Sequence, residues 1–140
     1  MAKAVISLGS NIGKREEYLR EASRLIEIEI GEIVESSSVY ETDSWGFESS
    51  RFLNQVIIVS TELPPLDLLS KLKEIEIRLG RTEKTGYIND KPKYQDRTID
   101  LDILLYDDLT MVSPELTIPH PHMWERDFIL QPLKELKLIP

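Results

Sequence analysis

The sequence predicts an α+β fold in which an antiparallel sheet carries two helices on one face. Three observations lead there: β-branched runs of strand length, two stretches of helical period, and their order of strand, helix, strand, strand, helix, strand. Two β-α-β units interleaved in this way form a ferredoxin-like sheet, a βαββαβ core with both helices on the same side. The other face is left for loops and the C-terminal segment, which is where a concave site can form.

The elements follow in order. Ala4 to Leu8 is an apolar strand stopped by Gly9-Ser10-Asn11. Ser10 or Asn11 is placed to cap the helix that follows, and Glu16 and Glu17 suit its positive N-terminal end. Leu19, Ala22, Ser23, Ile26 and Ile30 form that helix's stripe, and Gly31 is expected to end it. Ile33 to Thr42 is a weaker, serine-rich strand; Phe52 to Thr61 is a stronger one around Val56-Ile57-Ile58-Val59. Pro64-Pro65 opens the second helix, with Leu68, Leu72, Ile75 and Leu79 as its stripe and Gly80 as its C-terminal cap. Ile99 to Tyr106 is the last core strand, and Asp107-Asp108 its turn. A proline-rich tail with Pro114, Pro119 and Pro121 leads to a short helical pattern near His122 to Leu130.

Composition narrows the function. With 140 residues the chain fits one domain, residues 1–140, and can bury its own core. Hydrophobic residues are 41% and charged residues 30%, as in a globular protein, and no apolar run reaches membrane-spanning length. No secretory leader opens the sequence, and the absence of cysteine removes disulfides, thiolate metal sites and cysteine nucleophiles. The expectation is a cytoplasmic protein with no membrane partner. A net charge of −8 argues against sequence-general nucleic-acid binding, which depends on neutralising phosphates. Any anionic ligand therefore needs a local basic patch or a cation. The stretch from Gly80 to Arg97 is such a patch, with five basic residues against three acidic ones.

The strongest chemical signal is Arg97-Thr98-Ile99-Asp100-Leu101-Asp102-Ile103-Leu104-Leu105-Tyr106. Alternation along a strand sends Ile99, Leu101, Ile103 and Leu105 toward the helices and Asp100 and Asp102 to the opposite face, ~6.6 Å apart. Two such charges repel by roughly 2.5 kcal/mol at an effective dielectric near 20. Two acids on a solvated edge strand are the commoner reason for Asp-x-Asp. The apolar flanks instead suggest a central strand whose carboxylates hold Mg²⁺, a cation that prefers oxygen ligands shared with substrate phosphates. Arg81 and Arg97 flank this pair and suit a polyphosphate, whereas Lys84, Lys91 and Lys93 read as solvated loop charges. Eighteen residues without a clear period also suit a lid.

Other motifs are weaker. Gly9-Ser10-Asn11-Ile12-Gly13 lacks the spacing of a P-loop and reads first as a tight strand-to-helix turn. Pro119-His120-Pro121-His122 lacks the further ligands of a zinc site; its prolines hold His120 in an extended pose suited to a phosphate, and His122 reads as a surface or helix-start residue. Phe128 has the core as its default place. Asn54 defaults to a turn or strand edge, yet offers both a donor and an acceptor to a heterocycle.

Taken together, Ser7-Leu8-Gly9-Ser10-Asn11, Phe52-Leu53-Asn54-Gln55, Leu79-Gly80-Arg81, Arg97 to Leu104, Ile118-Pro119-His120-Pro121 and Arg126-x-Phe128 resemble the 6-hydroxymethyl-7,8-dihydropterin pyrophosphokinases of folate biosynthesis. They follow that family's order along almost the whole chain. The resemblance implies transfer of the β,γ-diphosphate of ATP to the pterin hydroxymethyl group with release of AMP. It implies two Mg²⁺ ions on Asp100 and Asp102, catalytic roles for Arg81, Arg97 and His120, and ATP contacts from these three together with Glu76, Ile103 and Arg126. Glu76 would meet the nucleoside end. Phe52 and Phe128 would sandwich the pterin, Thr42 and Asn54 would bond its edge, and Lys84 and Tyr94 would belong to the lid. ATP and a reduced hydroxymethylpterin are the implied partners of a monomer. The sequence departs from the family's habits at Tyr94-Gln95-Asp96-Arg97, where many relatives have Trp-Gly-Pro-Arg, at Arg81-Thr82-Glu83, and at Asp43 to Phe47. A metal-dependent phosphohydrolase and a ligand-binding regulatory module are the competing readings of the same residues.

Overall fold

The structure, a computed structural model, describes residues 1–11, 13–42, 52–80, 87–88, 91–92 and 99–139, the residues at 87, 88, 91 and 92 by backbone alone. Strand β1 (Ala2–Ser10) leads to helix α1 (Arg15–Glu29), then β2 (Gly31–Ser36), β3 (Tyr40–Thr42), β4 (Phe52–Thr61) and α2 (Pro65–Arg78). The two-residue strands β5 (Tyr87–Ile88) and β6 (Lys91–Pro92) precede β7 (Asp100–Tyr106). After it come β8 (Met111–Val112), β9 (Thr117–Ile118), a 3₁₀ turn (Met123–Glu125) and α3 (Asp127–Glu135). The main sheet runs β2-β4-β1-β7, all antiparallel, with β3 extending the pairing of β4. This is the expected ferredoxin-like arrangement.

Two apolar clusters sandwich the sheet. Ile6, Leu8, Leu53, Ile57, Leu101 and Ile103 face Leu19, Ile26, Leu68, Leu72 and Ile75 of α1 and α2. On the opposite face Val5, Val56, Ile58 and Leu104 meet Met123, Ile129 and Leu133 of the C-terminal segment. Period-two alternation explains the split for Ile99, Leu101 and Ile103. Leu105 departs from it: the β1–β7 register shifts between Val5 and Ile6, and Leu105 packs with the second cluster.

Local chemistry corrects several expectations. Neither Ser10 nor Asn11 caps α1. Ser10 ends β1, both are fully buried, and the helix starts later, behind Lys14, after Gly13 turns with φ +68°. Gly31 does follow the end of α1, and it is the first residue of β2. A Cβ there would lie 1.9 Å from the Ser60 carbonyl oxygen, so glycine is what lets the two backbones pair. Gly80 does fill the expected cap, with φ +103° and its N–H on the Ile77 carbonyl. The serine-rich strand is broken in two at 37–39. There the Ser37 hydroxyl accepts from the Val56 N–H at 2.9 Å while the Ser37 N–H donates to the Val56 carbonyl. The stretch read as lacking strand contains the short β5–β6 pair, too brief for any sequence period to show. Among the described residues, no helix is long and apolar enough to cross a membrane.

Candidate active site

Cross-strand register builds the site. Gly9 lies between Asn54 on one side and Asp100 on the other, and Ser7 lies between Val56 and Asp102. Partners directly opposite point to the same face. Asn54, Asp100 and Asp102 therefore rise from the face away from α1 and α2. Gly9 has no side chain to fill the gap. A Cβ there would stand 3.2 Å from Asn54 Oδ1 and 3.5 Å from Phe52 Cδ1, so the glycine leaves Asn54 and Phe52 room to lie over the β1 backbone.

Asn54 corrects its default reading as a turn or edge residue. It sits in β4, in the middle of the sheet, only 7% exposed. Its Nδ2 donates to Thr42 Oγ1 at 2.7 Å, which fixes the amide's orientation. Thr42 pairs directly with Phe52 across β3 and β4, so Thr42, Phe52 and Asn54 lie together on one face of the sheet.

The acidic strand corrects another expectation: β7 is an edge strand of the sheet, not a central one. Its apolar flanks are buried because α2 and the C-terminal segment cover it from both sides. Asp100 and Asp102 are half-buried and line a cleft of about 510 Å³ shared with Glu76, Lys73, His120 and Arg126. Ile103 lies at its wall, and the β8–β9 hairpin borders it through Ser113 to Thr117.

Glu76 is 7% exposed, and its Oε2 accepts the Leu101 N–H at 2.8 Å, between the two aspartates. An edge strand leaves such N–H groups unpaired by the sheet, and here α2 supplies the partner. Sequence reasoning gave Glu76 only a nucleoside contact and missed this bond. Lys73 was missed as well, although its spacing of three residues from Glu76 places both on one face of α2.

His120 is held by backbone on both sides. Its N–H donates to the Leu104 carbonyl at 2.9 Å, and its Nδ1 accepts the His122 N–H at 3.2 Å. A ring that accepts at Nδ1 carries its proton at Nε2, which is then a donor. Burial pushes the ring below the usual histidine range; Arg126 and His122 add to this, and Asp100 opposes it. His122 is exposed, 3.1 Å from Glu125 Oε2, in keeping with its surface reading. The Arg126 guanidinium lies 5.6 Å from the centroid of the half-buried Phe128 ring, which packs on the second cluster. Arg126 thus links the cleft to an aromatic wall. Arg81, Arg97, Lys84 and Tyr94 lie outside the described residues.

The fold and this cleft define a class first: a ferredoxin-like protein whose cleft lies at the β7 edge, between α2 and the C-terminal segment. The family is specific. Residues 5–138 match the one described as 7,8-dihydro-6-hydroxymethylpterin-pyrophosphokinase, HPPK. A Porphyromonas gingivalis protein named 2-amino-4-hydroxy-6-hydroxymethyldihydropteridine pyrophosphokinase is 44% identical over 138 residues, spanning 97% of this chain and 91% of its own. A Bacillus subtilis protein of the same name is 42% identical over 135 residues, spanning 95% and 77%. The solved Plasmodium falciparum HPPK-DHPS with STZ-DHP shares the fold, with a TM-score of 0.75 at 18% identity over 96% of this chain and 39% of that one. The chain belongs to the HPPK family.

Proposed function

We propose that the chain performs diphosphate transfer with the cleft holding ATP's phosphates and the Thr42–Phe52–Asn54 cluster holding the pterin. The reaction moves the β,γ-diphosphate of ATP to the hydroxymethyl group of 6-hydroxymethyl-7,8-dihydropterin and releases AMP, a step of folate biosynthesis. The observation that carries it is the family match over residues 5–138.

The residue roles rest on geometry. Asp100 and Asp102 fit Mg²⁺: both are oxygen donors on one strand face, half-buried and opening into the cleft. Among the described residues no group of three or more His, Cys, Asp or Glu side chains could hold a metal, so phosphate and water oxygens would complete the shell. Bound there, the two ions would neutralise charge on the phosphate oxygens during transfer. His120 offers its Nε2–H to a phosphate oxygen, and Arg126 adds a cation at the same wall. Asn54, already oriented by Thr42, offers hydrogen bonds to the ring's edge, while Phe52 and Phe128 offer faces for stacking. In-line transfer demands alignment and charge neutralisation more than a strong base, and these groups supply both. For Arg81, Arg97, Lys84 and Tyr94 the support is the sequence resemblance alone: the two arginines would contact the phosphates, and Lys84 and Tyr94 would belong to the lid. Residues 1–140 act as one catalytic unit, a cytoplasmic monomer.

The test is AMP formation from ATP and Mg²⁺, with and without the reduced hydroxymethylpterin. AMP that appears only with the pterin, disappears on chelation and returns with Mg²⁺ is the expected result. AMP formed without pterin would replace transfer by hydrolysis. Turnover that survives chelation would overturn the metal assignment.

A further inference from the structure

Where the strand breaks between β2 and β3, the backbone loses its ladder partner and needs another. One residue from the far end of the chain supplies it. The Glu135 carboxylate accepts the Ser38 N–H at 3.0 and 2.9 Å, the Ser38 hydroxyl at 2.9 Å and the Tyr40 hydroxyl at 2.6 Å. Ser37, one residue earlier, is pinned to β4 through Val56 and through Gln55, whose Nε2 donates to the Ser37 carbonyl.

Glu135 is badly placed for its own helix. It ends α3, where the helix dipole is negative and a carboxylate is unfavourable. Helix stability therefore gives no reason for an acid there, whereas the bonds to Ser38 and Tyr40 do. Those bonds, Tyr40's first and the Ser38 backbone's next, hold the Glu135 carboxyl below the usual carboxylate range; the same contact raises the Tyr40 phenol.

Position ties this contact to the site. Tyr40 stands directly opposite Asn54, and Thr42 directly opposite Phe52, so all four share the face on which α3 lies. Phe128 and Glu135 are seven residues apart on α3, which puts them within about 20° of one stripe and ~10 Å apart along the axis. One end of that stripe carries the aromatic wall, and the other is bonded to the strand that carries Thr42.

We propose that Glu135 is a positioning residue for the pterin: by holding Ser38 and Tyr40 it sets the Thr42–Asn54 pair at a fixed distance from Phe128. The inference deepens the pterin assignment and rests on it. A purely structural clamp would lower stability and nothing else. A positioning clamp changes how one substrate binds and leaves the other alone.

The experiment measures KM for both substrates in Tyr40→Phe, Glu135→Gln and Glu135→Ala, each below its own melting temperature. Tyr40→Phe removes one hydroxyl and Glu135→Gln is isosteric, so both report even where Glu135→Ala fails to fold. The expected result is a pterin KM raised about two- to tenfold, the range for one hydrogen bond, with the KM for ATP unchanged. In the Tyr40→Phe background, Glu135→Gln should add less than it does alone, because the pair acts together. A pterin KM unchanged in both conservative variants would overturn the inference, as would equal shifts for the two substrates. Wild-type protein that forms no AMP with pterin would instead overturn the function itself.

Discussion

Both outer strands of the sheet are capped by a glutamate from a helix, and the two caps differ in every other respect. At the β2 edge, Glu27 of α1 accepts the Ile33 N–H at 2.9 Å; at the β7 edge, Glu76 of α2 accepts the Leu101 N–H at 2.8 Å. Glu27 is exposed and its neighbours on β2 are solvated, so its bond does little more than blunt an edge against unwanted pairing. Glu76 is buried, beside two further acids, in a chain already at −8. A buried carboxylate near like charges is costly, and capping an edge does not require it. On the proposed function, the β7 edge is held for what it carries. Fixing the Leu101 N–H fixes the strand between Asp100 and Asp102.

The largest expected effect is at those aspartates. Asp102→Asn keeps the shape and removes the charge. AMP formation should fall by about 10²–10³-fold, the scale for losing one preorganised charge contact, while the variant still folds, as read by thermal unfolding. Activity retained in a folded variant would put the β7 edge on the same footing as the β2 edge.

The glycines sharpen the contrast next. Gly31→Ala drives a Cβ to 1.9 Å from the Ser60 carbonyl oxygen at the quiet edge, and should cost about 3 kcal/mol or more in denaturant unfolding. Gly9→Ala meets Asn54 Oδ1 at 3.2 Å beside the working edge, so its expected cost is ~1 kcal/mol. Its main effect should be a raised pterin KM, since Asn54 and Phe52 must shift. Equal stability losses with an unchanged pterin KM would break the distinction.

The caps themselves can be compared directly. Glu76→Ala leaves a buried N–H without its partner and should cost about 1–3 kcal/mol, with activity falling at least in step as the aspartates loosen. Glu27→Ala exposes its N–H to water, and its cost should stay within ~0.5 kcal/mol. Parallel losses in both variants would mean that the two edges play the same part.

What could be read from the sequence follows from this physics. Strand and helix order showed because apolar period reports which face is buried, and Phe52–Thr61 and the Pro65 helix start match the structure. Asp100 and Asp102 were legible for the same reason: two acids interrupting an apolar strand on a single face. Edge or centre was not legible at β7, because helix and tail bury its flanks as fully as neighbouring strands would. Glu76–Leu101 and Glu135–Tyr40 were not legible either, since each joins residues far apart in the chain and only the fold brings them together. Ser10 and Asn11 looked like caps because cap chemistry is local, whereas their burial is not.

The smallest effect tests whether burial in the C-terminal segment has tuned the histidine that lines the cleft. Burial, Arg126 and His122 depress the His120 ring's pKa below the unfolded value near 6.5, so the unfolded chain binds that proton first. The group therefore detracts nothing above pH 6.5 and destabilises the fold as pH falls from there toward the folded value. His120→Gln removes this linkage while keeping a hydrogen-bonding side chain. Unfolding free energy for wild type and variant, measured between pH 7.5 and 5.5, should diverge only in the lower half, with wild type losing more. Parallel curves for His120→Gln and wild type would mean that the ring titrates as it does in water. The backbone bonds at its Nδ1 and N–H would then orient the side chain without setting its charge.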